Sequence, residues 1–240
     1  MVSIRSALVA CVAAVLAAGS AAQASAFLDN FTSGSLANYT ATRILDAGGT
    51  AGVHNTTAWQ VTSGAVEFNT SVYDGIEQGV LLRNSTTLSI GEELQVDITR
   101  NAASQDLGLY VGGSSVTTDV RADYVNIYAR SNGQIYSRGF NGTTELTLTG
   151  PWTPTFTSLF IARTAADSYE LGYYDASAVR TVLTTRTGLT GVNGGTVGLY
   201  SDVRAAGVLG TADNLRIVPE PASLALLGLG GLLAGRRRRA

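Results

Sequence analysis

Few side chains in this sequence have the type and spacing for chemistry. His54 is the only histidine, so a Ser-His-Asp relay or a histidine-rich zinc site would have to be built on it. Its surroundings, Gly52-Val53-His54-Asn55-Thr56-Thr57, offer no partner at metal-ligand spacing. No Gly-x-Ser-x-Gly elbow occurs elsewhere, so His54 reads as a surface-loop residue. Glycoside hydrolysis needs two carboxyl groups about 5 to 9.5 Å apart, one of them held protonated. The densest acidic group is Glu92, Glu93 and Asp97, but Glu92-Glu93 reads as a hairpin turn leading into a strand. A non-catalytic protein is therefore the leading expectation, with a glycan-active hydrolase as the alternative. Tyrosine rings can stack on the apolar faces of pyranose rings. Tyr124 and Tyr128 share one face of an alternating segment whose other face carries Val125 and Ile127. That face is a candidate ligand platform, although tyrosine also suits half-buried strand positions for purely structural reasons.

The elements that must position these residues are strands. Leu94, Val96 and Ile98 alternate with polar neighbours, as do Leu107, Leu109 and Val111, then Val125, Ile127 and Ala129. Leu146 and Leu148, then Tyr169, Leu171 and Tyr173, then Leu215 and Ile217 continue the pattern. Period-two alternation gives each strand one buried and one wet face. Gly- and Asn-Gly-containing turns separate the runs, at 90–92, 111–113, 131–133, 140–142 and 192–195. No helical periodicity interrupts residues 27–217, so the body is expected to be one all-β, antiparallel jelly-roll sandwich.

Charge narrows the partners. The 240 residues carry a formal charge of −2 and no lysine. With Arg5, Arg236–Arg239 and Glu220 set aside, 11 arginines face 17 acids in residues 27–217, so the body is near −6. Such a body has no electrostatic footprint for nucleic acid.

The two ends read as export devices. Arg5 precedes an apolar run from Ala7 to Ala18, and small residues lead to Ala24-Ser25-Ala26. This is the order of a secretory signal peptide, a signal helix over residues 1–26 cut by signal peptidase after Ala26. Cys11 is the only cysteine and belongs to the removed segment, so the mature protein has no disulfide or thiolate chemistry. At the other end, Leu224 to Gly235 forms a short hydrophobic helix below the roughly 20 residues that span a bilayer comfortably. Pro219 and Pro221 stop it from extending upstream, and Arg236, Arg237, Arg238 and Arg239 form a block that stays cytoplasmic. The expected topology is body outside and arginines inside.

Val218-Pro219-Glu220-Pro221, the Leu/Gly-rich run and the basic terminus together resemble the PEP-CTERM sorting signal. That resemblance assigns 218–240 to sorting. It implies an integral-membrane exosortase as processing partner, transient residence in the inner membrane, and delivery to the cell envelope or exopolysaccharide. It makes Pro219-Glu220-Pro221 a recognition element in a substrate.

The body resembles concanavalin-like (LamG-type) jelly rolls. The resemblance rests on Phe27-Leu28-Asp29-Asn30-Phe31 with Trp59-Gln60-Val61 at the start, and on Gly195–Tyr200 with Ala212–Ile217 at the end. It implies that the first strand pairs with the last, bringing Asp29 towards Asp213, and that carbohydrate-binding or adhesion roles are common. The Glu-x-Asp-x-x-Glu strand of the jelly-roll glucanases is absent from this sequence. Calcium is the one cofactor these residues admit, through the oxygens of Asp29, Asn30, Asp213 and Asn214. The other reading of those four is turn formation.

Overall fold

The computed structural model describes residues 26–46, 57–70, 75–100, 106–113, 120–130 and 132–219. Those residues form sixteen strands and no helix: β1 (Ala26–Asp29), β2 (Tyr39–Asp46), β3 (Trp59–Thr62), β4 (Ala65–Thr70), β5 (Glu77–Thr87) and β6 (Glu92–Arg100) open the chain. β7 (Asp106–Gly112), β8 (Tyr124–Arg130), β9 (Ile135–Asn141), β10 (Thr144–Glu145) and β11 (Thr149–Trp152) follow. β12 (Ser158–Ala165), β13 (Ser168–Tyr174), β14 (Arg180–Arg186), β15 (Thr196–Val203) and β16 (Gly207–Pro219) complete it. The signal segment before Ala26, the sorting tail beyond Pro219 and His54 lie outside the described residues, as do the two expected helices. No helix among the described residues is long and apolar enough to cross a membrane.

Two antiparallel sheets face each other. Sheet I has the order β14-β13-β12-β6-β16-β4-β3, with β1 also on β16, and sheet II the order β10-β9-β8-β7-β15-β5-β2, with β11 on β9. This is a jelly roll, and the first strand pairs with the last: Ala26 opposes Ile217 and Phe27 opposes Arg216. The period-two alternation builds the core as expected. Leu94, Val96, Ile98, Leu107, Leu109, Val111, Val125, Ile127, Leu159, Ile161, Leu171, Leu199 and Leu215 all point between the sheets. Each fully buried aliphatic side chain contributes about 1.5 to 3 kcal/mol. Trp59 plugs one edge of this core, its ring meeting Phe68 edge-on at 4.8 Å.

Two buried guanidinium groups close the sandwich where backbone carbonyls would otherwise lack donors. Arg186, at the end of edge strand β14, donates to the Ser137 carbonyl at 2.6 Å, the Thr147 carbonyl at 2.7 Å and Thr149 Oγ1 at 3.0 Å, tying sheet I to sheet II. Arg163 donates to the carbonyls of Leu88, Ala165 and Ala166 and to Asn193 Oδ1 at 2.7 Å. Desolvation holds the Arg186 pKa below the usual arginine value.

Three local expectations differ from the fold. Glu92 and Glu93 are the first residues of β6 itself, because the turn is closed by the Glu92 N–H on the Ser89 carbonyl at 3.1 Å and pairing with β12 begins at Glu92. Leu146 packs on the core but Leu148 is exposed, because residues 146–148 cross between the short strands β10 and β11 without forming a strand. β16 continues through Val218 and Pro219, which oppose Glu93 and Glu92. Pro219 is tolerated there as the last residue of the strand, where its missing N–H breaks no further ladder.

Candidate functional site

The outward face of sheet II carries a second aromatic cluster, separate from the core between the sheets: Ile44, Val80, Leu82, Tyr110, Tyr124, Tyr128, Phe140 and Tyr200, with Tyr136 packed against it. Alternation places it there. In β7 and β8 the aliphatic residues face inward, so Asp106, Gly108 and Tyr110 and then Tyr124, Asn126 and Tyr128 face outward. Cross-strand register sets the rungs. Tyr200, Gly108, Tyr128 and Tyr136 follow one another across β15, β7, β8 and β9. Gly108 is the gap that makes this rung possible, because a Cβ at that position would collide with the Cα and Cβ of Tyr128. Across that gap the Tyr128 and Tyr200 rings approach to 5.2 Å, and Tyr136 stacks on Tyr128 at 5.9 Å and 15°. A neighbouring rung joins Tyr124 to Tyr110 at 5.2 Å and to Phe140 at 4.8 Å.

Tyr124 and Tyr128 therefore lie on the expected face, opposite Val125 and Ile127, but both are fully covered. The accessible ring of the stack is Tyr136, half-buried, with the Arg130 guanidinium 4.3 Å above it. Beside it Arg138 pairs with Glu145 at 2.9 Å. Nothing in the sequence distinguishes Tyr136 as the ring at the surface.

Beneath this surface, three polar atoms lack partners. The hydroxyls of Tyr124 and Tyr200 and Nδ2 of Asn126 are buried and make no hydrogen bond. Asn126 Oδ1 is occupied by the Arg138 N–H at 2.9 Å. An unpaired buried polar group costs about 1 to 3 kcal/mol, and native interiors rarely leave several together. Burial holds the Tyr124 and Tyr200 pKa values above the usual tyrosine range, so both remain neutral hydroxyls able to donate and to accept.

At one end of the same face sit two buried carboxyl groups that sequence reasoning did not pair. Asp106 on β7 and Asp202 on β15 are cross-strand partners. Arg130 Nε lies 3.2 Å from Asp106, while Arg204 meets Asp202 through two hydrogen bonds of 3.0 Å, with Gln78 adding a third at 2.9 Å. Burial, and next the neighbouring Asp202 charge, push the Asp106 pKa from its ordinary value up to about 7, against the pull of Arg130 and Arg204.

The outward face of sheet I is polar too, but complete. Glu93, fully buried, accepts from Arg180 at 2.7 Å, Tyr174 at 2.7 Å and Gln95 at 2.6 Å. Asp97 accepts from Ser158, Asn214 and Arg216. An open groove beside this network is lined by Gln95, Ser158, Tyr174, Asp175 and Arg216. Glu93 and Asp97 are thus held in hydrogen-bonded networks, and Glu92 accepts the Ser89 N–H at 2.8 Å.

The proposed calcium residues are divided between the end of β1 and an irregularity within β16. Asp29 Oδ1 accepts the Phe31 N–H at 2.7 Å, and Asn30 Oδ1 accepts the Thr32 hydroxyl at 2.8 Å. Asp213 Oδ1 accepts the Asn214 N–H at 2.6 Å, and Asn214, at φ 52°, donates its amide to Asp97 at 2.9 Å. Asp29 opposes Leu215 in register, two positions from Asp213. Among the described residues no group of three or more His, Cys, Asp or Glu side chains could hold a metal. Of the sorting residues, Val218 is buried in sheet I and Pro219 ends β16, while Glu220, Pro221 and Arg236–Arg239 lie outside the described residues.

The fold and the tail define the class: a concanavalin-like jelly roll joined to a sorting signal. The PEP-CTERM protein-sorting motif matches residues 218–239, which marks the chain as an exported, sorted protein. No curated protein matches the chain. Among solved structures it is similar to the Ca2+-bound exoplasmic/lumenal domain of VIP36, at 10% identity and a TM-score of 0.52, over 80% of this chain and 89% of that one. It is also similar to LamA_E269S from Z. galactanivorans in complex with laminaritriose and laminaritetraose. That match has 9% identity and a TM-score of 0.54, over 82% of this chain and 100% of the other. A third is a structure from work on endo-acting O-glycanases of the human gut microbiota, at 10% identity and a TM-score of 0.50, covering 81% and 99%. At these identities the likeness establishes the fold.

Proposed function

We propose that this protein is an exported, non-catalytic carbohydrate-contacting module, delivered by its PEP-CTERM tail to the cell envelope or its exopolysaccharide, where it serves in adhesion or matrix assembly. The observation that carries the reading is the outward face of sheet II. There a stacked tyrosine array ends in one half-buried ring, Tyr136, flanked by the Arg130 and Arg138 guanidinium groups. Aromatic rings suit the apolar sides of sugar rings, and guanidinium donors suit their hydroxyls. That neighbours of the same fold include a VIP36 Ca2+/Man-bound form and a complex with laminaritriose supports the choice of ligand class. Co-sedimentation of the secreted protein with the producing bacterium's exopolysaccharide tests the reading. Retention without new reducing ends is expected, and absence of retention contradicts it.

Hydrolysis is the second reading, favoured by the Asp106 and Asp202 pair. A carboxyl whose pKa is raised to about 7 beside a second carboxyl resembles the arrangement glycosidases use. Binding remains the preferred reading because each carboxyl group is held by a guanidinium and is almost fully covered, which leaves neither free to approach a glycosidic bond. New reducing ends in the same assay, abolished by Asp106→Asn, would reverse this order. Calcium, present in the first VIP36 form, would have to displace the backbone and side-chain donors that Asp29, Asn30 and Asp213 already accept, and no step here depends on a metal.

A further inference from the structure

We propose that the pole of the sandwich where β1 begins and β16 ends is the surface that faces the lipid headgroups in the tethered precursor; this rests on the reading of the tail as a membrane anchor. Ala26 and Ile217 are cross-strand partners, so the segments leading to the signal peptide and to the sorting tail leave the body side by side. β16 stays in sheet I through Pro219, with Val218 buried. Only residues 220–223 then separate the last strand from the apolar run at Leu224. Even fully extended, the chain from Pro219 to Leu224 spans at most about 18 Å. The headgroup layer takes up about 5 to 7 Å of that reach, so the body cannot turn this pole far from the bilayer.

The pole is built to be a firm surface. It is formed by the turn at 88–91, the turn between β12 and β13 and the loop that leads into β15. The buried Arg163 guanidinium ties these three together through Leu88, Ala165, Ala166 and Asn193, and Gly194 N–H donates to the buried Tyr169 hydroxyl at 2.7 Å. Out of this plate projects Ile90, 57% exposed. The opposite pole carries a matched exposed aliphatic, Val179, 54% exposed, in the turn between β13 and β14.

These two residues give the test. Full-length precursor with Cys11→Ser and either Ile90→Cys or Val179→Cys, made in a host lacking the processing enzyme, is labelled with bimane. It is then reconstituted into phosphatidylethanolamine/phosphatidylglycerol vesicles containing headgroup-nitroxide lipid. The orientation predicts several-fold stronger quenching of the label at position 90 than at position 179. Precursor that floats with the vesicles but shows equal quenching at both positions, or stronger quenching at 179, overturns the orientation and leaves the anchor reading intact. Precursor that fails to float removes the tether and overturns both.

Discussion

Tyr200 keeps its hydroxyl where the fold gives it no partner, and a residue held that way is informative in two directions. Without ligand, Tyr200→Phe removes an unpaired buried oxygen, so thermal unfolding should shift upward, by an amount equivalent to about 1 to 2 kcal/mol. With polysaccharide, the same variant should bind as the wild type does, because the hydroxyl lies beneath the surface. Weakened binding would show that the array opens to admit the ligand. Asp106 makes a pH prediction. Because burial raises its folded pKa to about 7, the native state binds more protons than the unfolded chain between the ordinary value of 3.8 and about 7. Stability is therefore lost as pH rises through that window. Melting temperatures measured from pH 4 to pH 8 should show this decline, and Asp106→Asn should flatten it; an unchanged slope in the variant would discount the carboxyl. At this scale the sequence was informative about faces and poor about exposure. Val125 and Ile127 against Tyr124 and Tyr128 is a pattern of period two that any strand obeys. What covers a face, and which acid on β15 meets which acid on β7, depends on pairings between residues far apart in the chain.

The meander β7, β8 and β9 with its neighbour β15 is the element that holds the site, and one glycine sets its shape. Gly108 leaves the opening over which Tyr128 and Tyr200 meet. Gly108→Ala should overpack that rung, costing about 1 to 3 kcal/mol in urea unfolding. It should also blue-shift or broaden the tyrosine near-UV signal; an unperturbed spectrum would show that the rings are not locked there. Strands with clean alternation and a turn signal, such as β6, β7, β8 and β13, were legible from the sequence because each writes its own period and its own ends. The short pieces β10 and β11 were not, since two to four residues cannot display a period. β6 starts at Glu92 because pairing with Arg163 of β12 and Pro219 of β16 begins there, a long-range cause that local turn chemistry does not contain.

The whole molecule is a sandwich whose two ends leave the same pole and whose aromatic face lies on the sheet that does not contain them. The final strand runs into the sorting motif, so cleavage upstream of Pro219 would require stripping Val218 out of sheet I. Intact mass of the secreted form should accordingly place its C-terminus at Pro219 or later; a terminus at Ile217 or earlier would show that the strand is opened for processing. The jelly roll and the sorting signal were both legible in the sequence, one from repeated alternation and the other from an ordered set of proline, apolar and arginine blocks. The aromatic face of sheet II was legible only once the sheets were assembled. The most direct measurement is calorimetric titration of the secreted protein with the producing bacterium's exopolysaccharide, comparing wild type, Tyr136→Ala and, as a surface control on sheet I, Val182→Ala. The account predicts binding that falls about tenfold for Tyr136→Ala, equivalent to about 1.4 kcal/mol, and is unchanged for Val182→Ala. Equal affinities for all three proteins would contradict the assignment of this face.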